Sequence, residues 1–185
     1  IIPPMTPVPI ECRALAPAPL AMTSGRVPRM NDSEVMRMFK KRTTGKGNNA
    51  LLMGNRTWDS LPHSRRPLPE RMNIVLTSKS RSTYEPNLCF IQTFDDVKCF
   101  LDDSKNLIYD ELWIIGGKTI YEQAIRYLPI TEILLTTFKQ SYDCDVFCDI
   151  KKLLDNSQLI YDTTVIFENN KRKVETLEVK QRTIS

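Results

Sequence analysis

Two apolar runs in this chain each stop at glycine and pass straight into a polar helix start. The first, Ala50-Leu51-Leu52-Met53, runs into Gly54-Asn55-Arg56-Thr57; the second, Leu112-Trp113-Ile114-Ile115, runs into Gly116-Gly117-Lys118-Thr119. A short, wholly apolar run is what a strand buried on both faces looks like. Glycine at its end lets backbone approach a ligand closely, and the next helix points free N–H groups at an anion. Two such junctions in one sheet can hold the two ends of a dinucleotide. The chain contains no G-x-G-x-x-G, which argues against an ordinary Rossmann dehydrogenase.

The remaining pattern is strand–helix alternation. Asn31 or Asp32 can cap a helix running to about Lys41, with Val35, Met36, Met38 and Phe39 as its apolar positions. Further helices are expected over 57–61, 95–101 and 119–126, and further strands over 73–77, 88–92 and 133–137. Segments 159–167 and 172–179 alternate like an antiparallel hairpin around Asn169-Asn170. The expected fold class is therefore α/β: a mixed, mostly parallel central sheet with helices on both faces and a closing antiparallel hairpin. At 185 residues the chain suits one domain over 1–185. Residues 1–28 differ, because seven of the twelve prolines fall there. Proline lacks a ladder donor, so this stretch reads either as an extended tail or as a degenerate first strand and loop.

Composition removes several function classes. The net charge of +4 is spread along the chain, so nucleic acid is not expected as a partner. Five cysteines without framework spacing suit reduced thiols in a cytoplasmic setting. No apolar run approaches the ~20 residues of a membrane helix, so no membrane partner is expected. The chain starts at Ile1, which reads as a processed or trimmed chain or a fragment, and its start does not resemble a signal peptide. The single histidine, His63, argues against Ser-His-Asp and Cys-His hydrolases, and there is no P-loop. Asp143-Cys144-Asp145-Val146-Phe147-Cys148-Asp149 crowds carboxylates and thiols without a nearby histidine, so no metal site is expected.

Beyond the first junction stand Trp58-Asp59-Ser60-Leu61-Pro62 and then Arg66-Pro67-Leu68-Pro69-Glu70-Arg71. In order and spacing, these motifs and the second junction through Tyr121 resemble the dihydrofolate reductase family. The resemblance implies an NADPH-dependent reduction of dihydrofolate to tetrahydrofolate by a monomer that also takes antifolate-like small molecules. It gives Gly54, Asn55, Arg56 and Thr57 to the cofactor phosphates, with Thr77, Ser78 and Lys79 near the adenosine phosphate. Ser78 stands where several members carry Arg. Gly116, Gly117, Lys118, Thr119, Ile120 and Tyr121 fall to the pyrophosphate and nicotinamide side, with an unusual Gly–Gly peptide. On the substrate side it implies that Arg71 takes the glutamate tail. Phe39, Leu61 and Leu68 wall the aminobenzoyl ring, Ile115 and Val35 line the pocket, and Thr136 meets the pterin and its acid.

That acid is where the resemblance departs. The family's Asp or Glu lies four residues before a helical Phe, and here Val35 holds that place relative to Phe39. Glu34 is the adjacent carboxylate, rotated about 100° around the helix, and is the candidate catalytic group. Gly25-Arg26-Val27-Pro28-Arg29 carries Arg29 where the family has Trp, and Ala18 to Met22 lacks the family's loop glycines. The alternative to an enzyme is a catalytically impaired NADPH- or folate-binding protein of the same fold.

Overall fold

Strand β2 (Asn49–Gly54) is buried on both faces, and its neighbour β5 (Glu111–Gly116) is nearly so, which is why each reads as a continuous apolar run. A computed structural model describes residues 11–16, 33–45, 48–81, 85–103, 109–138, 146, 148–156, 159–170 and 172–180. Within these, β1 (Glu11–Ala16), β3 (Arg71–Leu76), β4 (Leu88–Ile91), β6 (Ile130–Phe138), β7 (Ile160–Glu168) and β8 (Arg172–Lys180) complete an eight-stranded sheet. Its order is β4-β3-β2-β5-β1-β6-β8-β7. The first six are parallel, whereas β8 runs antiparallel to β6 and β7 antiparallel to β8.

The Pro-rich start is therefore not simply a tail. Glu11–Ala16 is a central strand, paired with β5 through Arg13↔Trp113 and with β6 through Ala14↔Ile133. The six residues Glu-Cys-Arg-Ala-Leu-Ala contain no proline, so none of them lacks a backbone donor for the ladders.

Alternate residues of β2, β3, β5 and β6 feed two cores. Leu51, Met53, Val75, Trp113, Ile115 and Leu134 face one side, where helix α1 (Ser33–Thr44) contributes Phe39 and α2 (Asn55–Ser60) contributes Trp58. Ala50, Leu52, Ile74, Leu112, Ile114 and Ile133 face the other. There α3 (Phe94–Asp103), α4 (Lys118–Tyr127) and α5 (Ile150–Asn156) supply Val97, Ala124 and Leu154. Period-2 alternation between two helical layers explains why both faces are apolar. Leu52 is fully buried in this second core. Leu52→Ala is expected to cost about 2–5 kcal/mol, read as a lower denaturant midpoint at unchanged slope.

Two details differ from expectation. Helix α2 begins at Asn55 rather than Thr57, immediately after Gly54, so Asn55 and Arg56 are helical. Helix α5 is additional. Its signals are Ile150 and Leu154, buried one turn apart, and Asp149, whose Oδ1 accepts from the Lys152 backbone N–H at 3.1 Å. Among the described residues no helix is long and apolar enough to cross a membrane.

Candidate cofactor and substrate site

The two glycine junctions meet at the carboxyl ends of the adjacent strands β2 and β5. Strand pairing places Met53 opposite Gly116. A Cβ built on Gly54 would stand 3.2 Å from Ile120 Cγ1 and 3.9 Å from the Gly116 carbonyl oxygen. A Cβ on Gly117 would stand 3.7 Å from Thr57 Oγ1. The two junctions thus lie in contact, with Ile120 packed against Gly54 and Thr57 against Gly117. The Gly116–Gly117 peptide is cis, the unusual geometry the resemblance implies, and Arg66–Pro67 is cis as well. Gly117 caps α4, with Ile120 and Tyr121 donating their backbone N–H groups to its carbonyl.

The residues assigned to the cofactor do not all present side chains. Ile120 and Tyr121 are buried in the core on the α4 side of the sheet, and the Tyr121 ring lies beneath Gly116. Arg56, Lys118 and Thr119 are exposed at the helix starts. Thr57 is buried, and Asn55 donates from Nδ2 to Asp59 Oδ2 at 2.7 Å. Thr77 is buried, and its Oγ1 accepts from the Lys79 backbone N–H at 3.2 Å, while Ser78 and Lys79 are exposed. Around this corner Asp59 lies 3.7 Å from the Arg66 guanidinium and 3.6 Å from that of Arg81. Arg66 sits over the Trp58 ring and Arg81 over the Phe90 ring. Arg81 adds a cation beside Lys79 that sequence reasoning did not single out.

On the α1 side, Phe39, Leu61, Leu68 and Ile115 belong to one buried cluster. Thr136 is buried on β6, opposite Val174 of β8, which belongs to the same cluster. The position of Leu68 is set by Asn73, fully buried on β3. Asn73 Oδ1 accepts from the Leu68 N–H at 3.0 Å, and its Nδ2 donates to the carbonyls of Leu68 and Arg71, each at 2.9 Å. That side-chain clamp ties the proline loop to the sheet. The side chains of Glu34 and Val35 lie outside the described residues, although both positions belong to α1. Asp143, Cys144 and Asp145 lie outside them too.

Arg71 is the exceptional group. Its side chain enters the same layer, with only 4% of the residue exposed and its guanidinium carbon 6.0 Å from the Phe39 ring centroid. Nε donates to the Pro69 carbonyl at 2.9 Å and a terminal nitrogen (NH1) donates to Thr43 Oγ1 at 2.6 Å. Burial pulls its pKa below the ordinary value, and the Glu70 charge only partly opposes that. Among the described residues no carboxylate lies within salt-bridge distance of it. Thr43 and Asn49, both buried and polar, support this arrangement and were not singled out from sequence.

Parallel strands that end side by side in glycine, next to an apolar layer holding a buried guanidinium, define the class of the fold as α/β with its glycine junctions at the carboxyl ends of adjacent strands. The comparisons make this specific. The family model described as "Dihydrofolate reductase" matches residues 30–178. A dihydrofolate reductase of Aedes albopictus is 35% identical over 114 residues, 60% of this chain and 61% of that one. One from Heliothis virescens is 35% identical over 102 residues, 54% of each chain. The chain thus spans about half to three-fifths of the length of these curated relatives. The solved structure of Schistosoma mansoni dihydrofolate reductase superposes with a TM-score of 0.68 at 24% identity, covering 94% of this chain and 100% of that one, a likeness of fold. This chain belongs to the dihydrofolate reductase family.

Proposed function

We propose that the protein is an NADPH-dependent reductase converting dihydrofolate to tetrahydrofolate. The observation that carries the reading is Arg71, a guanidinium taken out of water with no carboxylate within salt-bridge distance among the described residues. A buried cation without a counter-ion is costly, and a ligand carboxylate that pairs with it recovers much of that cost. A ligand ending in glutamate supplies such a group. The apolar wall of Phe39, Leu61 and Leu68 suits the aromatic ring that precedes the tail.

The cofactor residues fit as well. The adjoining glycines leave backbone open to a phosphate where side chains would fill the space, and α4 begins there. Gly54, Arg56, Thr57 and Gly116 to Thr119 would hold the pyrophosphate and nicotinamide portions, and Thr77, Ser78 and Lys79 the adenosine end. Asn55, tied to Asp59, frames the start of α2, while Ile120 and Tyr121 support the glycines from beneath. When bound, NADPH supplies the hydride. The chain's own part is to exclude water with the apolar wall, orient the pterin through Thr136 and deliver a proton to the pterin nitrogen. Glu34 is the residue proposed for that proton. The same reading makes the protein a single-domain cytoplasmic monomer that also binds antifolates.

A second reading, a binder that turns over poorly, is favoured by one observation: Val35 stands at the position of the family's acid. Steady-state NADPH oxidation with dihydrofolate separates the two. Glu34→Gln is expected to lower turnover by ~10²–10⁴-fold at neutral pH, the usual contribution of a general acid. Unchanged turnover in that variant would remove Glu34 from the mechanism. Binding without turnover in the parent, with activity gained by Val35→Glu, would establish the second reading.

A further inference from the structure

We propose that β7 is a docking edge for an extended, basic segment of a partner protein, which adds to the sheet as a further strand. β7 (Ile160–Glu168) ends the sheet and, among the described residues, pairs only with β8. Its outer backbone groups are therefore a template for another strand. Sheet edges are usually blunted by shortness, proline or lysine. The opposite edge, β4, is four residues long, whereas β7 runs for nine and contains no proline, glycine, lysine or arginine. A bulge between Val165 and Phe167 interrupts its far end, which leaves Ile160 to Val165 as the regular stretch. The side chains are uncovered too. Four large apolar residues are exposed among the described residues, and Ile160, Val165 and Ile166 of β7 are three of them. A strand added there would cover them while its own backbone completes the ladder.

Charge identifies the occupant. Register puts Glu132 of β6 opposite Glu178 of β8, and Glu178 opposite Asp162 of β7, so three carboxylates form one row across the sheet. Like charges directly opposite one another repel. At the inner end of the row, Glu132 is the register partner of Arg13 on β1. The outer end stops at Asp162, on the open edge. Lys180 Nζ lies 3.4 Å from Asp162 Oδ2, but both side chains are largely exposed, and such a pair contributes little. An added strand places one residue directly opposite Asp162, on the face of the row. A lysine or arginine there offsets the repulsion. A second copy of this chain fits less well. Its β7 brings Asp162 and Glu168 and no cation, so two-fold pairing adds acid to acid. The partner is therefore a β-branched, apolar segment with a basic residue near its centre.

The probe is a fluorescently labelled peptide of alternating valine and threonine with one central lysine, compared with the same peptide carrying glutamate. Anisotropy with the full chain is expected to show roughly five- to tenfold tighter binding of the lysine peptide at low salt, narrowing as salt screens the pair. The bound lysine peptide should slow amide hydrogen exchange in β7 and leave that of β4 unchanged. Val165→Lys, at an exposed position, should remove that protection by blunting the edge. Asp162→Lys, also exposed, should reverse the preference between the two peptides. Equal affinity for both peptides, or a preference unaltered by Asp162→Lys, would overturn the basic partner. Unchanged exchange in β7 at millimolar peptide would overturn the edge itself. A concentration-dependent dimer in sedimentation, lost in Val165→Lys, would make a second copy the occupant and overturn the proposal as well.

Discussion

Gly116→Ala is expected to destabilise the protein by several kcal/mol and to remove measurable NADPH binding. Gly116 has φ +99°, a region that side-chain-bearing residues rarely adopt. A Cβ there would also lie 3.0 Å from Cε2, Cζ and Oη of Tyr121, whose ring is buried and has little room to retreat. Backbone strain of this kind costs about 1–3 kcal/mol, and overpacking a filled core costs a similar amount. Relief requires the glycine pair to move, and that pair is the proposed seat of the cofactor. Thermal melting with and without NADPH measures both effects. Gly117→Ala is the control, because its Cβ would meet only Thr57 Oγ1 at an ordinary 3.7 Å. Its melting temperature is expected to stay near that of the parent. Equal behaviour of the two variants would remove the argument for Gly116.

The second large effect is expected at Arg71. Arg71→Met should weaken a glutamate-tailed ligand by on the order of 10²-fold or more, the range seen when one partner of a buried charge pair is truncated. Stability of the ligand-free protein should move far less. Methionine removes two hydrogen bonds, but it also removes the cost of a desolvated cation. A binding loss with a nearly constant melting temperature marks a ligand-facing residue. A large fall in melting temperature with unaltered affinity would instead make Arg71 a structural group.

The central architecture is legible in the chain because it is written in local terms. Ala50 to Met53 and Leu112 to Ile115 are apolar throughout, since both of their faces are covered, and each ends at the glycine where the helix turns away. The hairpin of β7 and β8 shows itself in alternation. What escapes is set by partners distant in sequence. Glu11–Ala16 has no strong strand pattern of its own, and it becomes a strand because β5 and β6 offer it ladders on both sides. Helix α5 is too short to display a convincing period, so only Asp149 and the Ile150–Leu154 pair announce it. At the site, chemistry-bearing residues such as Arg71 stand out by type. Their supports do not: Thr43, Asn49 and Asn73 look like ordinary helix-end or strand residues until burial and distances assign them partners.

The central place of β1 has a consequence for synthesis. Its pairing partners β5 and β6 lie about a hundred residues further along, and at roughly 5–20 residues per second the ribosome delivers them some 5–20 s later. Until then β1 has no partner to pair with, because its two neighbours in the sheet are β5 and β6. The nascent chain must therefore hold β1 unpaired while the roughly hundred residues that separate it from β5 are made. That waiting period, more than the stability of the finished fold, is where a chaperone would find this protein.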